Sequence, residues 1–259
     1  MLFTDQLNNN IELDNFPKRI VSLVPSQSEL LWDLGLRKEL VGVTKFCIHP
    51  KELLETVARI GGTKTLNINM IRDLRPDLII GNKEENEQSQ IIELQKEFKV
   101  WMSDIFTLYD SLEMIKSVGK IVNREEQAIH ISNSIDQSFS ELKSLHKSVL
   151  YLIWKPYMAA GKGTFIGDML QKMGLQNVIE DEKARYPELS IIEISALNPE
   201  LLLLSSEPFP FKEEHLSEFK QHLPNAKILL VDGELFSWYG SRLKKSVGYF
   251  NELIQELKL

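Results

Sequence analysis

The amino-acid sequence predicts an α/β fold: two similar lobes with mostly parallel sheets, joined by one long helix. Three observations lead there. Short apolar runs alternate with segments of helical periodicity from Arg19 onward, and strands separated by helices pair in parallel. Phrases of the first half recur, in the same order, in the second. Between the halves, apolar residues keep helical spacing through a stretch without glycine or proline.

The elements follow in order. Residues 19–24 read as a strand that Pro25 ends; Ser26 and Glu29 then stand at capping-box spacing and open a helix, which Gly35 closes. Apolar strands follow at 40–44, 77–81 and 99–102, with helical segments between them such as 87–98. Thr107 and Asp110 form a second capping-box pattern. From there helical periodicity runs to about His146, with Ala128, Ile131, Ile135, Phe139, Leu142 and Leu145 three or four apart. A single helix over 124–146 would be about 35 Å long, a stiff strut unlike a pliable linker. Strands at 149–153, 201–204 and 228–232 complete the second half. There, 197–203 (LNPELLL) echoes 74–80 (LRPDLII), 169–175 (MLQKMGL) echoes 30–36 (LLWDLGL), and 227–232 (KILLVD) echoes 99–104 (KVWMSD). The expected organisation is an N-terminal extension over 1–17, an α/β lobe over 18–107, a backbone helix region over 108–147 and a second lobe over 148–259.

Composition narrows the function. The chain has 259 residues, room for two lobes, and 43% apolar with 26% charged residues is an ordinary globular balance. A net charge of -7 and the lack of a basic run argue against nucleic acid, whose phosphates need clustered cations. No apolar run approaches the ~20 residues that span a bilayer, so membrane insertion is not expected. The first fifteen residues hold three consecutive asparagines and several acids instead of a basic and apolar leader. The expectation is therefore cytoplasmic as the chain stands, and periplasmic for a chain from which a leader has been removed. Cys47 is the only cysteine, so no internal disulfide can form.

Open α/β sheets collect ligands at the carboxyl ends of their strands, and this sequence concentrates aromatics there. Phe46 follows one strand, Trp154 and Tyr157 another, and Phe236, Trp238 and Tyr239 a third. Such rings offer rigid area for a flat ligand, or simply cap the core. Cys47 and His49 are the sharpest polar pair: a thiolate and an imidazole able to reach a metal, or a buried cysteine and a turn histidine before Pro50. Lys83, Glu84, Glu85 and Asn86 offer hydrogen bonds to a ligand rim, or the two acids only favour the next helix's positive end. Arg242, opening the last helix with Ser241, suits a carboxylate or phosphate, or a surface ion pair. Glu207, Pro208, Phe209 and Pro210 read as a rigid rim loop. The loop 161–164 (GKGT) lacks the full phosphate-loop spacing, and the common hydrolase signatures are absent.

These phrases together resemble the helical-backbone (class III) periplasmic solute-binding proteins for vitamin B12 and ferric siderophores, which serve ABC importers. The resemblance covers about 17–253 and is carried by 17–26 (PKRIVSLVPS) with Glu29, 40–44 (LVGVT), 74–80, and 160–165 (AGKGTF) with 170–177 around one long helix. It implies two Rossmann-like lobes with a ligand cleft between them and no catalysis. The ligand would be a metal chelate, a corrinoid such as cobalamin or a ferric siderophore, with no intrinsic cofactor. Phe46 stands where vitamin B12-binding members place a stacking aromatic, whereas two other stacking positions hold Thr63 and Asn82. His49 would touch a metal only through a chelated ligand. An ABC permease is the implied protein partner, although the family's acidic docking positions hold Asn69 and Ser237. Two alternatives remain at this point: an enzyme or chaperone acting on a corrinoid or metal cofactor, with Cys47, His49 and Glu84 as polar centre, and a protein-interaction module.

Overall fold

A computed structural model describes residues 1–181 and 184–258. Glu182, Lys183 and Leu259, which the sequence assigns to the second lobe, lie outside them. The chain divides into two units. The first comprises Met1–Ile105, Tyr109–Asp136 and the short segment Tyr239–Arg242; the second comprises Phe106–Leu108, Gln137–Trp238 and the chain from Leu243 on.

In the first unit, β1 (Leu2–Thr4) and β2 (Asn10–Glu12) form an antiparallel hairpin with Leu2 opposite Glu12. β3 (Ile20–Ser22), β4 (Leu40–Val43), β5 (Ala58–Arg59), β6 (Leu78–Asn82) and β7 (Val100–Ser103) form a parallel sheet in the order β5-β4-β3-β6-β7. β3 and β6 are buried along their whole length, the signature of strands covered by helices on both faces. Helices α1 (Pro25–Asp33), α2 (Leu53–Thr56), α3 (Ile68–Leu74) and α4 (Gln88–Gln95) connect successive strands of this sheet.

The expected Ser26–Glu29 capping box does not form. Pro25 already occupies the first helical turn, where its fixed φ and missing N–H suit it, and the residue before it, Val24, is the extended N-cap without a side-chain bond. Ser26 therefore falls inside the helix, and Glu29 turns to Arg242.

α5 (Leu108–Ile121) starts directly after Thr107, and α6 (Glu125–Ser140) follows a short break in which Asn123 is left-handed, at φ 58°. The two cross closely: a Cβ on Gly119 would lie 2.1 Å from that of Ala128. The helix expected over 124–146 thus ends early. Beyond Ser140 the backbone leaves the helical ladder, because the N–H of Lys143 donates to Asn251 Oδ1 and that of Leu145 to the Met173 carbonyl.

In the second unit, β8 (Ser148–Trp154), β10 (Gln176–Asn177), β11 (Leu201–Ser205) and β12 (Lys227–Val231) run parallel in the order β10-β8-β11-β12, with β9 (Met158–Ala159) antiparallel to β8. α7 (Phe165–Lys172), α8 (Ile191–Leu197), α9 (Glu213–His222), α10 (Gly233–Ser237) and α11 (Leu243–Lys258) complete it. Leu150, Leu152, Ile194, Leu202, Leu204 and Phe219 pack into one buried cluster, each worth roughly 1.5–3 kcal/mol of transfer free energy. The GKGT loop serves α7 as a cap: Thr164 Oγ1 accepts the Gly167 N–H at 3.0 Å and donates to the Gly161 carbonyl. In each sheet the first long strand sits inside, the next lies to one side and the third to the other. The order therefore reverses at β3/β6 and at β8/β11, the places where open sheets leave crevices.

Candidate functional site

In the first unit, a side-chain network holds the ends of β3, β6 and β7. Asn82 Oδ1 accepts the N–H groups of Glu84 and Glu85, while Asn86 Oδ1 accepts the N–H of Asn82. Gly81 allows this turn, since a Cβ there would meet Asn86 Oδ1 at 2.7 Å. Gln27 Nε2 donates to Ser103 Oγ at 2.6 Å beneath. Tyr239, on the segment that returns from the far end of the sequence, donates its hydroxyl to Glu85 Oε1 at 2.7 Å. Burial, with the charge of Glu85, holds that phenol well above its ordinary pKa and keeps it a donor. Lys83 pairs with Asp104 at 2.6 Å, and Lys64 donates to the Glu84 carbonyl.

At the end of β4, Phe46 is 49% exposed, with the Lys45 ammonium 5.0 Å from its ring. Cys47 faces the other way. Its fully buried sulfur lies 3.1 Å from Ser28 Oγ and 3.2 Å from Thr44 Oγ1, and burial pushes the thiol pKa up. His49 follows, half-buried. Among the described residues, no three His, Cys, Asp or Glu side chains are placed to hold a metal ion. Arg242 is paired in bidentate fashion with Glu29, at 2.7 and 3.1 Å, within the unit's interior.

In the second unit, Trp154 is 44% exposed and meets the edge of Phe209 at 6.2 Å. Tyr157 donates to Glu218, which Lys155 also pairs at 3.0 Å. Partial burial and this carboxylate push the Tyr157 phenol up to about 12, while its donors hold Glu218 below the usual carboxylate range. Phe236 is fully buried between Tyr151 and Phe250, with centroids at 5.0 and 4.7 Å. Trp238 is nearly buried, and its indole N–H donates to Glu207 Oε1 at 2.8 Å. Ser237 Oγ donates to the same oxygen at 2.9 Å. Beside them lies an open depression of about 660 Å³, lined among others by Ser206, Glu207, Phe211, Val231, Asp232 and Glu234. Burial and the neighbouring Glu234 and Asp232 raise the Glu207 carboxyl, against the pull of its two donors.

Of the residues expected to form the site, Phe46, Cys47, His49, Lys83, Glu84, Tyr239 and Arg242 thus belong to the first unit, and Trp154, Tyr157, Phe236 and Trp238 to the second. Phe46 and Trp154 present open faces, whereas Cys47, Phe236 and Arg242 are turned into cores. Glu207, read from sequence only as part of a rim loop, emerges as the residue that orders its neighbours. The one sequence signal for it is a carboxylate immediately beyond an apolar strand and ahead of Pro-Phe-Pro. Asn69 is exposed and accepts from Arg72, and Ser237 is engaged by Glu207.

Comparison with known proteins adds to this geometry. A family model described as periplasmic binding protein matches residues 20–228. A vitamin B12-binding protein of Vibrio cholerae serotype O1 is 27% identical over 198 residues, covering 73% of this chain and 71% of the relative. Among solved structures, the periplasmic vitamin B12 binding protein BtuF of Vibrio cholerae superposes with a TM-score of 0.78 at 20% identity, over 94% of this chain and 98% of the other. The periplasmic haem binding protein HutB of the same organism gives 0.77 at 21%, over 91% and 98%.

Proposed function

The chain belongs to the periplasmic binding protein family, and from that membership we propose that it captures a metal-chelate small molecule and releases it unchanged, as the substrate-binding component of an ABC importer. The observation that carries this reading is the placing of open aromatic faces, Trp154 at the carboxyl end of β8 and Phe46 in the loop that follows β4, at the carboxyl ends of parallel strands. A flat chelate offers the area such rings bind. The relatives named above bind vitamin B12 or haem, which supports a chelate of that size, a corrinoid, a haem or a ferric siderophore. They are periplasmic proteins, which supports that compartment for this chain. No helix of the described residues is long and apolar enough to cross a membrane.

An enzyme centred on Cys47 gains no support. A nucleophilic cysteine needs a lowered pKa and access, whereas this thiol is buried, hydrogen-bonded to two hydroxyls and pushed upward.

The test is titration of the intact protein with a corrinoid, haem and a set of ferric siderophores, read by tryptophan fluorescence and melting temperature. A ligand present at a hundred times its Kd stabilises by about 2.7 kcal/mol, a readily measured upward shift. Phe46→Ala or Trp154→Ala should then weaken binding by about five- to tenfold. Failure of the whole panel to move either signal overturns the proposal.

A further inference from the structure

Glu207 stands at the end of β11 with its two carboxylate oxygens in different situations. Oε1 accepts both Ser237 Oγ–H and the Trp238 indole N–H. Among the described residues no donor reaches Oε2, and the residue lines the depression of about 660 Å³. Asp232 and Glu234 line the same depression, and no described lysine, arginine or histidine does. Lys155, which follows the neighbouring strand, is held by Glu218. An incoming group at this depression therefore meets the Glu207 carboxylate with Asp232 and Glu234 beside it.

Resting on the proposed binding function, we propose that Glu207 selects the ligand by its rim chemistry. Oε2 accepts a hydrogen bond from a carboxamide or amine on the edge of the chelate. The negative field of Glu207, Asp232 and Glu234 disfavours chelates edged with carboxylates, since like charges brought together at an interface are strongly unfavourable. Through Oε1, Glu207 also holds the nearly buried Trp238 indole. A site built to bond a ligand N–H rejects an analogue that lacks it, because the acceptor is then left unpaired.

The test compares dicyanocobinamide, whose rim carries carboxamides, with haem, which carries two propionates, on wild-type protein and on Glu207→Gln. Glutamine keeps an oxygen for Ser237 and Trp238 but removes the charge and places an N–H where Oε2 stood. Wild type should bind the amide-edged chelate at least about tenfold more tightly than haem, and the variant should reduce that ratio by about tenfold. Glu234→Gln, which leaves the Trp238 bond intact, should reduce it severalfold and provides the same reading if Glu207→Gln fails to fold. A ratio unchanged in both variants, or a wild-type preference for haem, overturns the selection by Glu207 while leaving the binding function standing. Failure of wild type to bind any chelate removes the function and this inference together.

Discussion

Glu29 and Arg242 face each other with 7% of each side chain exposed, so each supplies the other with part of the solvation that water no longer gives. Removing one partner leaves a buried charge without this bidentate pair: Arg242→Ala should cost about 3–5 kcal/mol in urea unfolding, whereas replacing both residues by leucine and methionine should cost far less. Glu207 carries the opposite kind of prediction. Its pKa is raised in the folded protein, so the stability linked to its protonated form is present below the unfolded carboxyl pKa and is lost as pH rises through the folded value. Glu207→Gln should therefore gain melting temperature relative to wild type at neutral pH, and the gain should disappear in acid; an equal difference at every pH would contradict this. The charge of both residues is visible in the sequence, but their partners are not. Arg242 reads as a ligand contact because Glu29, 213 positions away, leaves no local mark on it.

The strands are the most legible elements. A parallel strand covered on both faces is a short unbroken apolar run, which is how β6, β8 and β11 announce themselves. Helix ends are less so, because distant groups decide them: Asn251 and Met173 take the N–H groups that would have continued α6, although Leu142 and Leu145 keep its spacing. The crossing of α5 and α6 is another case. Gly119 sits in a helix, where it costs roughly 1 kcal/mol relative to alanine, and the nearness of Ala128 and of the Arg124 carbonyl explains it. Gly119→Ala should destabilise by about 1–3 kcal/mol despite its better helix propensity, and adding Ala128→Gly should recover part of the loss. A more stable single variant by thermal melting would show that the helices separate freely.

For the molecule as a whole, the α/β class, the paired halves and the open aromatics Phe46 and Trp154 are readable from residue order. The inward turn of Cys47 and Phe236 is not, since a ring or thiol beyond a strand can face either way until packing decides. Nor is the membership of Tyr239–Arg242 in the first unit, which rests on the Glu29 and Glu85 bonds. A fragment ending at Asp136 retains Glu29 without its guanidinium and should melt without a cooperative transition, whereas the same fragment with Glu29→Leu should regain part of that cooperativity. During synthesis, that dependence sets an order of events. Residues 1–136 emerge from the ribosome long before Arg242 is translated, so the nascent first unit waits, incomplete, until the segment Tyr239–Arg242 has been made.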